Sequence, residues 1–153
     1  MTFGVWVLVV AIAAAAVIGL WWTLTNGVFR GTRRVGGGET SADRPPPPPT
    51  SSVLLGTAYD GRRGERGTLL QFSSAFCAPC RATRRVLADV AGAVPGVEHV
   101  EVDAEHHLDL VRALGVVRTP TTLVLDAGGR EVTRATGAPR PAQVLAALEG
   151  SLA

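Results

Sequence analysis

Residues 3 to 24 read FGVWVLVVAIAAAAVIGLWWTL and carry no charge. No other stretch constrains the chain as strongly. A helix of that length, at 1.5 Å per residue, is about 33 Å long, enough to cross a hydrocarbon core of roughly 30 Å. Trp6 stands near one end and Trp21 and Trp22 at the other, where indoles suit the two membrane interfaces. A cleaved signal peptide is the competing reading. It wants a basic leading region and a small-x-small cleavage site. Only Met1-Thr2 precedes the run, and no Ala-x-Ala follows it. The run therefore reads as an uncleaved, single-pass anchor over 3–24.

The charge pattern bears on orientation. Arg30, Arg33 and Arg34 lie just after the run, and no Lys or Arg lies before it. The positive-inside rule then places the rest of the chain in the cytoplasm. The extracytoplasmic side is the alternative. The same arginines are expected to meet anionic membrane lipid. Beyond Ser51 there are eleven Arg and eleven acidic residues. A neutral domain offers no electrostatic case for nucleic acid.

Residues 25–52 read as an Arg-flanked linker ending in GGGETSADRPPPPPTSS. Pro45 to Pro49 suggest a stiff polyproline II spacer of roughly 15 Å. Such a linker would hold a domain off the bilayer and let it swivel. Residues 53–153 suffice for one small domain, expected to be monomeric.

In that domain, period 2 and period 3.6 alternate. TLLQF (68–72), VEHVEVD (97–103) and TTLVLD (121–126) read as strands. Helices are expected from Cys77 to about Ala93, over 107–114 with Leu108, Val111 and Leu114 on one face, and from Ala142 with Val144, Leu145 and Leu148 facing inward. Ala127-Gly128-Gly129-Arg130 reads as a hairpin turn into EVTRATG (131–137). Helices between the first three strands imply parallel crossovers. SSVLLGTAY (51–59) is a candidate front edge strand. The class is α/β: a mixed sheet flanked by helices.

Two cysteines, Cys77 and Cys80, are the only ones in the chain. They open the helix after the first strong strand. Unpaired backbone N–H groups and the helix dipole there favour a thiolate, so Cys77 is the expected nucleophile. Cys80, one turn deeper, can close a disulfide with it. Pro79 suits the first helical turn. A zinc site wants four ligands, and His99, His106 and His107 lack the spacing, so no metal is expected. Arg81 after Cys80 rules out the Cys-x-x-Cys-His of covalent haem. A staple across so short a loop adds little stability. A redox pair that needs no dissociable cofactor is the favoured reading.

These residues resemble the thioredoxin superfamily over roughly 66–150. The likeness rests on LLQFSSAFCAPC, VEVDAEHH, GVVRTPTTLVLD and GREVTRATGA in that order. It implies a three-layer thioredoxin-like fold and thiol–disulfide exchange with a protein disulfide or dithiol, fed by an upstream electron donor. It also implies a cis bond before Pro120, with the backbone of Thr119 presented to an extended substrate, and contact through Phe76 and Pro79. Departures are marked. Phe76 replaces a Trp, Ala78-Pro79 replaces Gly-Pro, and Gln71 replaces a buried Asp. His99 takes the place of a buried Lys. The region ahead of the first strand is too short for the usual leading strand and helix. Gln71, His99 and Arg81 (with Arg84 and Arg85 on the same helix face) are therefore expected to modulate the pair. Ala-Pro between the cysteines hints at a reductase. The rivals are a membrane-held binding or adaptor domain and a dedicated carrier of electrons to one membrane partner.

Overall fold

A computed structural model describes residues 2–25, 29–31 and 52–152. The arginines at 33 and 34 and the proline run at 45–49 lie outside them. Helix α1 spans Thr2–Thr25. Its segment Gly4–Trp21 has a mean hydropathy of 2.4, and those side chains are exposed. By length and composition α1 is able to cross a membrane.

The domain is one sheet between two layers of helix. After β1 (Phe29–Gly31) come β2 (Gly67–Ser73), α2 (Ala78–Ala93), β3 (Val97–Asp103), α3 (Leu108–Ala113), β4 (Thr121–Asp126), β5 (Glu131–Thr136) and α4 (Pro141–Leu152). The strand order is β1-β5-β4-β2-β3. β2 is central, and all seven of its residues are buried, with Leu69, Leu70 and Phe72 apolar and Thr68, Gln71 and Ser73 buried polar. β3 lies at an edge and alternates inward and outward.

Alternation on β2 sorts the core into two faces. Leu70 and Phe72 join Val100, Val102, Leu123 and Leu125, covered by Val53, Leu54 and Leu114. Leu69 joins Val97 and Val124 beneath Leu87 and Val90 of α2 and Val144 and Leu148 of α4. Gln71 follows Leu69 by two and so points under α2. Gly96, at φ 80°, turns the chain from α2 into β3.

Four expectations are corrected. β2 and β3 are parallel, but β4 is antiparallel to β2. The six residues of α3 span about 9 Å, far short of a seven-residue strand of about 23 Å. The remaining loop residues do not carry the chain across either, and it re-enters the sheet at the end where it left, Asp103 beside Ser73 and Thr121 beside Phe72. Residues 53–62 form turns and a short 3-10 segment at Asp60–Arg62, because Val53 and Leu54 are buried as a plug over one sheet face. The edge strand is instead Phe29–Gly31, antiparallel to β5 and drawn from the stretch read as linker. Leu108 and Leu145 are 50% and 40% exposed. Leu110 and Val111 pack in the place expected of Leu108, and α4 seals the core with an i, i+4 pair, Val144 and Leu148.

Candidate functional site, a cysteine pair at a helix start

The C-terminal end of β2 carries the chain into Ser74, Ala75 and Phe76, and α2 begins at Ala78. Cys77 is its N-cap. Its Sγ accepts a hydrogen bond from the backbone N–H of Cys80 at 3.1 Å, which satisfies one of the orphan donors of the first turn. Pro79 sits in that first turn, where its missing N–H costs nothing. Cys77 and Cys80 are joined as a disulfide with Cα atoms 5.2 Å apart. The two cysteines are unequal in access. Cys77 is half-buried, whereas Cys80 is 2% exposed. An incoming thiol or disulfide therefore meets Cys77.

Pro120 faces this end of the sheet. The Thr119–Pro120 bond is cis. Thr121 pairs with Phe72, which sets the proline loop beside the cysteine loop. The hydroxyls of Ser74 and Thr119 meet at 3.1 Å and tie the two loops together. Pro120 is buried, and its carbonyl accepts from the N–H of Gly137 at 2.8 Å. Phe76 is 98% exposed and Val117 88% exposed, so an apolar rim stands open at the same end.

Beneath Cys80 lies a polar pocket of side chains. The Gln71 amide Nε2 donates to Ser73 Oγ at 2.7 Å and to the Cys80 carbonyl at 3.0 Å. Its Oε1 lies 3.1 Å from His99 Nε2. Because Oε1 only accepts, the network assigns the proton to Nε2 of His99 and leaves Nδ1 as its basic atom. Burial holds the His99 pKa below its ordinary value; Glu101 opposes this and Arg62 and Arg84 add to it. The hydroxyls of Thr83 and Thr122 also lie buried, without a hydrogen-bond partner among the described residues.

Gln71 and His99 are thus brought together under Cys80. Arg81, by contrast, is exposed on α2, and Arg84 reaches across to Glu101 at 3.4 Å. His106 pairs with Asp103 at 2.8 Å, which holds the Asp103 carboxyl below its usual range. His107 meets Tyr59 Oη at 2.8 Å. Among the described residues no group of three or more His, Cys, Asp or Glu is placed to hold a metal ion. Ser74, Ser73 and Glu105, whose carboxylate accepts from Ala75 N–H at 3.3 Å, escaped sequence reasoning. Serines beside a cysteine motif carry no spacing signal, and Glu105 acts from a loop thirty positions away.

Comparison with known proteins agrees with this geometry. The profile of the thioredoxin-like domain matches residues 61–151. Thioredoxin H-type 1 of Nicotiana tabacum is 35% identical over 72 residues, 47% of this chain and 56% of that protein. Thioredoxin H2-1 of Oryza sativa subsp. japonica is 33% identical over 72 residues, 47% of this chain and 51% of that protein. The chain thus spans about half the length of the curated relatives it matches. Among solved structures, a mutant thioredoxin from Halobacterium salinarum NRC-1 superposes with a TM-score of 0.54 at 20% identity, covering 58% of this chain and 77% of that one. Thioredoxin NaTrxh from Nicotiana alata gives 0.52 at 24% identity, covering 58% and 76%. A profile match over more than half the chain, joined to a cysteine pair capping a helix beside a cis-proline loop, establishes that this chain belongs to the thioredoxin-like family.

Proposed function

We propose that the chain is a membrane-tethered thiol–disulfide oxidoreductase working through Cys77 and Cys80 in the reducing direction. The observation that carries this is the unequal pair: one cysteine reachable from solvent at a helix start, its partner buried one turn deeper. In the reduced state the Cys77 thiolate attacks one sulfur of a substrate disulfide. That S–S bond breaks, and the first substrate sulfur leaves as a thiolate and takes a proton. Cys80 gives up its proton and attacks Cys77, and the second substrate thiol departs. Two electrons pass to the substrate, and Cys77 and Cys80 end bonded as they stand here. A dithiol donor then restores the pair.

Gln71 holds the Cys80 carbonyl but, as an amide, takes no proton. The tether is α1, and its arginine-rich C-terminal flank supports a cytoplasmic domain in contact with anionic lipid. Cys80→Ser in the full chain tests the exchange reading. Mixed disulfides through Cys77 are expected to accumulate. A bound partner with no mixed disulfide would instead make the domain an adaptor. Labelling of Cys77 in intact, mildly reduced cells by a membrane-impermeant maleimide would overturn the cytoplasmic side alone.

A further inference from the structure

Three residues separate the end of α1 at Thr25 from β1 at Phe29. They span at most about 14 Å from Cα to Cα. Without β1, the 26 residues from 26 to 51 would let the domain travel up to roughly 90 Å from the anchor. β1 removes most of that freedom, because its residues lie in register on β5: Phe29 opposite Ala135, Arg30 opposite Arg134, Gly31 opposite Thr133.

The register also sets which end of the domain is tied down. Antiparallel pairing places the start of β1 at the end of β5. There Thr136 pairs with Thr121, and Thr121 pairs with Phe72. That row leads directly into the cysteine loop and into Pro120. The chain coming from α1 thus enters the sheet at the cysteine end. Three strand spacings separate β1 from β2, about 14 Å in all. The large hydrophobic side chains exposed at that end are Phe76 and Val117, an apolar rim suited to another protein's surface.

We propose that Phe29–Gly31 is a strap that turns the Cys77–Cys80 end of the domain toward the bilayer, so that its partner is a disulfide carried by a membrane protein close to the bilayer surface. This rests on the membrane-tethered exchange reading. A soluble disulfide diffusing from above meets the far end of the sheet, at Ala127–Gly128. A disulfide on a short loop of a neighbouring membrane protein meets Cys77. The strap raises the effective concentration of such a partner by confining the search.

The test uses the full chain in phosphatidylcholine–phosphatidylglycerol vesicles with an acceptor dye on a headgroup. A donor dye is placed at Val117→Cys or at Ala127→Cys in a Cys77→Ser/Cys80→Ser background. These positions lie at opposite ends of the six-residue β4, about 20 Å apart. Transfer from 117 is expected to exceed that from 127 about twofold or more. Arg30→Pro/Gly31→Pro, which removes strand donors from the strap, is expected to lower the transfer from 117 and erase the difference. With the cysteines restored, the intact chain should reduce a disulfide peptide anchored to lipid faster than the same peptide in solution. The strap variant should lose that preference several-fold while keeping its rate on the free peptide. Transfer from 127 equal to or above that from 117 overturns the strap and leaves the tethered exchanger standing. Failure to float with vesicles, or no turnover of the free peptide by the intact chain, overturns the underlying reading and the strap with it.

Discussion

His99 is a half-buried imidazole whose Nε2–H is committed to Gln71. Burial keeps its pKa below the ordinary 6.5. The unfolded chain therefore takes up this proton at a higher pH than the folded one does. The resulting stability is full above pH 6.5 and is lost as pH falls toward the folded value. Urea midpoints measured at about pH 7.5 and about pH 5.5 should fall for the natural chain and fall less for His99→Gln. Equal falls in the two proteins would show that His99 contributes nothing to acid sensitivity. At this scale much of the site was legible beforehand. The cysteine spacing could be read from the sequence itself, whereas the part of Thr119-Pro120 and the place of Gln71 where relatives carry a carboxylate were expected only from the thioredoxin resemblance. The joining of Gln71 to His99, and of Ser74 to Thr119, could not be read at all. Each contact spans dozens of positions and depends on which way a side chain leaves its strand.

At the scale of elements, Gly64 shows how tightly the approach to β2 is packed. A Cβ there would lie 2.2 Å from the Gly67 carbonyl oxygen, 2.7 Å from the Glu98 nitrogen and 2.8 Å from the Gly96 oxygen. These are backbone atoms and yield only by moving strands. Gly64→Ala is expected to cost about 1–3 kcal/mol. Gly92, in the last turn of α2, has nothing within 4 Å of an added Cβ. Gly92→Ala should stabilise by about 0.5–1 kcal/mol. Chemical denaturation of both variants checks the pair, and a neutral Gly64→Ala would refute the packing argument.

Element positions were legible because period 2 and period 3.6 each follow burial. β3 and β4 fall where VEHVEVD and TTLVLD stand. Direction was less so. Nothing in TTLVLD says which way the strand runs, and only its pairing with β2 fixes it. The edge strand was missed for a related reason. Three residues have no periodicity to detect, and VLL at 53–55 offered a more apolar decoy, of which the fold buries Val53 and Leu54 as a plug and leaves Leu55 exposed.

For the molecule as a whole, the strap changes the picture of a domain on a leash. A linker read from its glycines and prolines suggests free rotation. Pairing of Phe29–Gly31 with β5 replaces that with a fixed attachment at one sheet edge. Burial is distributed unevenly along the chain. The segment Gly4–Trp21 has none of its residues buried inside the protein, whereas residues 52–152 hold both halves of the core. Unfolding in lipid or detergent should therefore be an event of about a hundred residues. Its heat-capacity increment is expected near 1.2–1.5 kcal/mol/K, against about 2 kcal/mol/K for a chain of this length folding as one body. Past the transition a residual far-UV helical signal should remain, because denaturant removes the partners of the domain's helices and leaves the lipid around α1 in place.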